Sequence, residues 1–431
     1  MSVPNPLNQT SLLRSWCVVL SSALFFFYIF IQMNLFNSIN VELVKEFKLN
    51  ARQISQMYAF FAYGNVLFLF PAGILLDRFS VRKLLFAVFT ISIIATYLFS
   101  TASCFWTMNI ARLAIGVAGA FALLSSVKLA TRWFDPKHMA LVIGVVVTMA
   151  MVGGAIAQTP LTILTQKFGW RIAMQLVVSL GIVLMITQSF IVRDEPKGLE
   201  KLDIAEHEQL KQIGFWSSLR LVATNKQNWL SGVYISLVNL PLFILGGIWG
   251  APFLTQVHKF TQVQATAITG MLFIGMMIGS PLAGLISDRM GLRKLPMTIG
   301  ALFSIAVVSA IIFSPTLSFV TEASLFFALG LIISAQVIGY PVIAESNAHS
   351  ITATATGLGS VLIMSGGMLA PLFGWLLDFG ETSSVTYSAG DFMRANSMLL
   401  VGLVIALIAS LLIRETYCKQ NFIYKSDPDS L

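Results

Sequence analysis

The chain has 431 residues, 56% of them hydrophobic and 11% charged. A soluble domain carries about 25% charged residues, so this deficit excludes a globular enzyme of this length and indicates a polytopic membrane protein. The formal net charge of +8 would suggest nucleic acid for a soluble protein. Here the placement of Lys and Arg gives it another meaning, and no nucleic-acid partner is expected.

A membrane-crossing helix needs about 20 mainly apolar residues. Such runs occur at roughly 16–38, 53–76, 84–101, 106–131, 139–163 and 172–192, then at 229–252, 263–286, 295–314, 319–342, 353–376 and 393–413. Only Arg14 precedes the first run, which is longer than the 7–15 residues or so of a signal h-region; an uncleaved first span is expected. Pro71, Pro160, Pro241, Pro281, Pro341 and Pro371 lie inside these runs. Membrane helices tolerate such breaks because neighbours re-satisfy the freed backbone groups. The charged stretch 193–226 separates two sets of six runs. The expected organisation is an N-terminal half (1–192), a solvated linker (193–226) and a C-terminal half (227–431).

The two halves share a segment. Residues 73–84 read Gly-Ile-Leu-Leu-Asp-Arg-Phe-Ser-Val-Arg-Lys-Leu, and residues 284–295 read Gly-Leu-Ile-Ser-Asp-Arg-Met-Gly-Leu-Arg-Lys-Leu. Gly73, Asp77, Arg78, Arg82 and Lys83 recur at Gly284, Asp288, Arg289, Arg293 and Lys294, an offset of 284 − 73 = 211 positions. A charged hairpin between two spans, repeated at half the chain length, marks an internally duplicated transporter. With the N-terminus inside, most Lys and Arg fall on the side of these hairpins. Only Lys45, Lys48, Arg52, Lys167, Arg171, Lys259 and Arg394 fall on the other. The positive-inside rule then places both termini in the cytoplasm.

Six spans, a loop and six more spans, with the hairpin after spans 2 and 8, resemble the major facilitator superfamily over essentially the whole chain. The family's hairpin motif is Gly-x-Leu-x-Asp-Arg-x-Gly-Arg-Lys. Gly291 keeps its second glycine, whereas Ser80 replaces it in the first copy. If that site needs a positive φ, Ser costs energy there that Gly does not, and the loop would be shaped differently. Arg112-x-x-x-Gly116-x-x-x-Ala120, Trp133-Phe134-Asp135-Pro136-Lys137 and Phe168-Gly169-Trp170-Arg171 resemble further marks of the family. The resemblance implies an all-α fold of twelve transmembrane helices in two pseudo-symmetric halves. It implies alternating access, with Asp77, Arg78, Arg82, Lys83, Asp288, Arg289, Arg293 and Lys294 as gating residues. The bland alternative is a charged loop that only fixes topology. The antiporter motif of span 5 is half present: Gly144 and Gly153 are spaced correctly, but Ala157-Gln158 replaces Gly-Pro.

Several residues are candidates for substrate contact. Arg112 lies about two turns into span 4, and a charge at that depth is a functional hypothesis by default. It could bind a carboxylate bidentately, assist proton movement, or hold span 1 by its carbonyls. Lys128 could attract anions or snorkel to the interface. Tyr28 and Gln32, and likewise Gln336 and Tyr340, stand at i and i+4 and so share a helix face. Asn239 equals Tyr28 plus 211 and is its candidate pseudo-symmetric partner. The resemblance implies that spans 1, 4, 7 and 10 line the central cavity. The bland reading of these polar residues, with Asn65, Gln158 and Gln188, is hydrogen-bonded glue between helices.

No carboxylate falls mid-span. Glu42, Glu322, Glu345 and Asp391 sit at span ends. Coupling to protons would use Glu345 or Asp391 near a mouth, with Glu345 the favoured candidate; otherwise the chain is a facilitator or exchanger. Cys17, Cys104 and Cys418 lie far apart and the four His show no ligand spacing, so no disulfide, metal or cofactor is expected. The sequence therefore reads as a carrier, expected to be monomeric, in the inner-membrane bilayer. It moves a small carboxylate-bearing metabolite such as an amino acid, short peptide or organic acid, in the uptake direction. The alternative is proton-linked efflux of amphipathic compounds. No nucleophile, base or metal constellation supports an enzyme.

Overall fold

The computed structural model describes residues 12–134, 139–194, 215–314, 317–347, 352–379 and 386–419. Among them, twelve helices are long and apolar enough to cross a membrane. Spans 1–6 are Leu12–Asn34, Ala51–Leu76, Val81–Thr101, Phe105–Trp133, Leu141–Phe168 and Trp170–Ile191. Spans 7–12 are Lys226–Gln256, Gln262–Met290, Lys294–Phe313, Phe319–Glu345, Thr354–Asp378 and Ala389–Leu412. Each overlaps an expected run, and several start earlier than hydropathy alone indicates. The cause is capping. Asn225, Ser80 and Ser388 cap spans 7, 3 and 12 by accepting from Gln227, Lys83 and Asp391 backbone N–H groups, so a polar first turn precedes each apolar run. One helix was not expected. Span 1 turns at Leu35 and continues as Phe36–Phe47. Most of the expected linker lies outside the described residues; a helix at Phe215–Thr224 leads into span 7.

The duplication read from the hairpins extends into the packing. At Gly64 an added Cβ would stand 2.3 Å from the Leu113 carbonyl oxygen, and at Gly275, again 211 positions on, 2.2 Å from that of Phe327. At Gly116 it would meet Phe61 O at 2.0 Å, and at Gly330 it would meet Leu272 O at 2.0 Å. Spans 2 and 4 thus cross backbone to backbone, and spans 8 and 10 repeat the crossing. Small residues drive such close approach in membranes.

Four spans are broken where the chain carries Pro, Gly or polar residues. Span 5 breaks at Gln158, between Met139–Ile156 and Thr159–Phe168. Spans 10 and 11 contain 3₁₀ turns at Ser334–Ile338 and Gly366–Leu369. Span 7 passes into a π-helical stretch, Leu242–Trp249, directly after Pro241. Proline has no N–H to continue the ladder, and a π register leaves carbonyls without their usual partners.

Those carbonyls are met by the other half. Asn37 Nδ2 donates to Leu245 O (2.9 Å), Gly246 O (2.7 Å) and Gln158 Oε1 (3.2 Å). Asn37 Oδ1 accepts from Ala251 N, and Gln158 Nε2 donates to Gly246 O and Asn34 O. Thr269 Oγ1 closes the ring on Gln158 Oε1 at 2.7 Å. Nearby, Asp378 accepts from Ala51 N and Arg52 N, and Trp249 Nε1 donates to Ser55 Oγ. This clasp lies at the end of the molecule opposite the hairpins, here termed the far end. Cβ atoms added at Gly73, Gly284 and Gly357 would find nothing within 4 Å. Among the described residues, the hydrogen bonds that join the halves gather at the far end, so the structure is closed there.

The clasp yields a test. Asn37→Ala leaves buried carbonyls and an N–H unpaired, at about 1–3 kcal/mol each, although membrane hydrogen bonds average nearer 0.6. The far-end-closed population should fall about tenfold. Spin labels at exposed Lys45 and Phe379 in a cysteine-free background should then report a longer far-end distance; an unchanged distribution would show that the clasp does not hold that end. Packing gives a second test. Gly116→Val and Gly330→Val should abolish monodisperse protein, whereas Gly73→Ala and Gly284→Ala should not, as read by size-exclusion chromatography.

Candidate functional site

Arg112 is the one fully buried cation among the described residues. Span 4 holds it eight residues in, one helical turn before Gly116, whose close approach to Phe61 seals it between spans 1, 2 and 4. Its Nη1 donates to Gln32 O at 2.6 Å. Its guanidinium carbon stands 4.9 Å from the Phe36 ring centre and 5.2 Å from that of Phe61. Nε and Nη2 have no hydrogen-bond partner among the described residues. The effective penalty for burying an ion is several kcal/mol. One charge-assisted hydrogen bond returns about 1.5–3 kcal/mol and a desolvated cation–π contact about 2 kcal/mol. Two of its nitrogens thus keep capacity for a further acceptor. The clasp lies directly above it: Tyr58 packs edge-on to Phe36 (5.9 Å), and its hydroxyl would stand 2.6 Å from a Cβ on Gly247 of the π stretch.

Tyr28 and Gln32 do share a face, but it turns into the N-terminal half rather than toward the C-terminal one. Tyr28 Oη and Gln32 Nε2 both donate to Thr96 Oγ1 of span 3, at 3.2 and 2.9 Å, and Tyr28 packs on Gly181 of span 6. They are fully buried in this state and act as helix glue. Asn239 is buried, with Oδ1 unpaired among the described residues. Five residues before it on span 7, the Tyr234 hydroxyl donates to Met297 O of span 9 at 2.8 Å. The i, i+4 pairing of Gln336 and Tyr340 is interrupted by the 3₁₀ turn Ser334–Ile338. Gln336 is buried, whereas Tyr340 is half-buried and lies against Gly359 of span 11. Lys128 is half-buried and sixteen residues from Arg112, about 24 Å along the helix at 1.5 Å per residue. The two cannot hold one small carboxylate together. Gln158, which stands where the antiporter motif has Pro, is the clasp's second arm.

The hairpins are built differently in the two halves. Gly291 has φ +63°, the left-handed conformation glycine favours, and ends span 8. Ser80 has φ −56° instead, caps span 3, and donates its hydroxyl to Asp194. The expected strain at Ser80 does not arise, because the loop changes shape. Asp194 also accepts from Arg82 N (2.8 Å), while Arg82 Nη2 donates to Ser189 O (2.7 Å). In the second copy Glu415 accepts from Arg293 N and Lys294 N, at 2.8 and 2.9 Å. A carboxylate following the last span of each half thus sits on the positive N-terminus of that half's third helix.

Arg293 carries a network. Nη1 pairs with Asp288 at 2.6 Å and Nη2 with Glu345 at 2.8 Å; Thr416 also donates to Glu345. Burial works against the charge of Arg293, but the hydrogen bonds it donates to Glu345 and Asp288 prevail and hold its pKa above the usual range. Glu345, the sequence-based coupling candidate, is thus engaged in a hairpin ion pair in this state. Lys294 Nζ donates to Leu411 O. Arg78, Lys83 and Arg289 are exposed, and the Asp77 side chain lies outside the described residues. Each of these partners lies in the same half as the hairpin residue it holds. Removing one member of a buried pair costs about 3–5 kcal/mol. Arg293→Ala should approach that range and lower the thermal midpoint; Glu345→Gln, which keeps a hydrogen bond, should lower it less. Equal midpoints for both variants and the parent would show that the network contributes nothing.

The sequence profile of the Major Facilitator Superfamily matches residues 20–371. The lysosomal dipeptide transporter MFSD1 of Danio rerio is 26% identical over 58% of this chain; the match spans 56% of that protein's own length. The probable sulfoacetate transporter SauU of Cupriavidus necator is 23% identical, covering 84% of this chain and 86% of its own. The hexuronate transporter of Bacillus subtilis is 24% identical over 35% of each chain. Among solved structures, a bacterial homologue of the human lysosomal transporter Spinster, in an inward-facing and unoccupied conformation, superposes with a TM-score of 0.70 at 18% identity, over 95% of this chain and 97% of its own. The nucleoside transporter NupG (D323A mutant) gives 0.71 at 13% identity, over 92% and 99%. Twelve apolar helices, a doubled hairpin and a profile match over most of the sequence converge: the chain is a multi-pass membrane transporter, not an enzyme, and belongs to the Major Facilitator Superfamily.

Proposed function

We propose that this chain takes up a small carboxylate-bearing metabolite across the inner membrane by alternating access, with the hairpin end cytoplasmic. The observation that carries the reading is Arg112, a buried guanidinium with two nitrogens unpaired among the described residues. A substrate carboxylate offers the bidentate partner that this geometry lacks. Three relatives are named for dipeptide, sulfoacetate and hexuronate, which all carry a carboxylate. The excess of Lys and Arg at the hairpin end favours that end as cytoplasmic.

The clasp and Arg112 together suggest how binding drives closure. With the far end open, Arg112 is hydrated from that side. Closing the clasp strips its water, which is costly for an unpaired charge. A bound carboxylate offsets that cost, so the loaded carrier closes at the far end more readily than the empty one. Substrate can shift the equilibrium only by its differential affinity for the two states, and the guanidinium supplies that difference. The hairpins, held within their own halves in this state, are then free to meet across the halves in the other.

A thermal-shift screen of purified protein against amino acids, dipeptides, sulfonated and hexuronic acids, and lipophilic cations tests the substrate class. A ligand at 100 times its Kd should stabilise the fold by about 2.7 kcal/mol. The expected outcome is a shift confined to carboxylates and lost or weakened about 10–100-fold in Arg112→Ala, the worth of a charge-assisted hydrogen bond of 1.5–3 kcal/mol. A shift with lipophilic cations alone, or carboxylate binding unaltered by Arg112→Ala, would refute the reading.

A further inference from the structure

At the far end of the C-terminal half, His258 and Glu322 form a buried pair that neither the clasp nor Arg112 involves. His258 follows the tip of span 7, and Glu322 lies in the first turn of span 10. Nδ1 stands 2.7 Å from Oε1, with side-chain exposures of 2% and 0%. The contact is close but poorly aligned, and neither Glu322 oxygen has a hydrogen-bond partner among the described residues. Phe253 packs on the imidazole at 4.9 Å between ring centres, and Phe260 stacks beyond it at 6.5 Å. A cleft of about 370 Å³ leads to His258 between span 7, the end of span 9 and the start of span 12.

Every element around the pair can be checked for charge. Span 7's tip presents Phe253 and Val257; span 9 presents Ile312, Phe313 and Ser314; span 12 presents Ala389 and Met393. None of these titrates. Lys259, next in sequence, is exposed and donates to Gln256 O. Asp391 of span 12 is engaged by Ser388 and Arg394. Among the described residues, the imidazole and the carboxylate therefore have only each other to balance charge.

We propose that His258 and Glu322 together form a proton-binding site, open to the far side through the cleft, that stabilises the far-end-closed state. A buried pair without a proton would hold an uncompensated carboxylate away from water, which is costly. One proton, on either partner, removes that charge. Closing an unprotonated pair therefore takes up one proton from far-side water, and opening returns it. The linkage sign follows: the closed state gains as pH falls and loses as pH rises. The tip of span 7 transmits the effect, because the clasp bonds Ala251 and Trp249 on one side while Phe253 rests on His258 on the other.

The test uses the full chain in nanodiscs, with spin labels at Lys45 and Phe379, titrated from pH 8.5 to 6. The expected result is a closed-to-open ratio that rises up to tenfold per pH unit. His258→Gln and Glu322→Gln should each flatten that slope while remaining monodisperse, and Glu322→Gln, an uncharged mimic of the protonated acid, should stay closed at all pH values. A flat slope in the parent, a slope retained in both variants, or a slope removed by Asp391→Asn instead would overturn the proposal.

Discussion

The state of this molecule depends on one polar junction: two amide side chains, Asn37 and Gln158, inserted into carbonyls of a π-helical stretch in the opposite half. In a bilayer, backbone groups must find partners inside the protein. Pro241 breaks the ladder of span 7 and the π register after it turns carbonyls outward. They can be satisfied by the N-terminal half when the far end is closed, or by water when it is open. A junction with two acceptable partners has two stable positions, and this is what a gate requires. An all-apolar contact in its place would lack the directionality to fix register. A continuous α-helix would offer no acceptors.

The two halves are near copies in their scaffold and differ where function is proposed. The Gly64 crossing repeats 211 positions on at Gly275, and the Gly116 crossing repeats at Gly330. Each half's last span delivers a carboxylate to the start of its third helix, Asp194 in one and Glu415 in the other. Yet the residue four positions before the crossing glycine is Arg112 in the first half and Phe326 in the second. The buried charge has no counterpart, so a substrate held there is gripped by one half and packed by the other. Such asymmetry on a symmetric frame lets the scaffold rock while only one side binds the charged group.

Much of the frame was legible in the sequence. Apolar run length reports span number because the bilayer fixes helix length, and the hairpin repeat reports the duplication because its charges stand out against apolar surroundings. Arg112 was legible for the same reason. The tertiary partners were not. Gln158 looked like a damaged glycine motif because its function is a contact with Gly246, 88 positions away. His258 and Glu322 each looked ordinary, since pairing across 64 positions leaves no spacing signal. Glu345 looked like a free carboxylate at a mouth because its partner Arg293 belongs to another hairpin. The i, i+4 rule placed Tyr28 and Gln32 on one face correctly but could not say which neighbour that face meets. For Gln336 and Tyr340 a 3₁₀ turn changes the angular step on which the rule depends.

The central claim is that closure at the far end and opening at the hairpin end are one event, driven by a carboxylate at Arg112. The most direct measurement is a pair of distances on the same protein, Lys45 to Phe379 at the far end and Arg78 to Arg289 at the hairpin end, with and without a carboxylate ligand found to bind. The account predicts that ligand shortens the first and lengthens the second in proportion, and that Arg112→Ala removes both changes together. Distances that move independently, or that respond to ligand equally without Arg112, would contradict it.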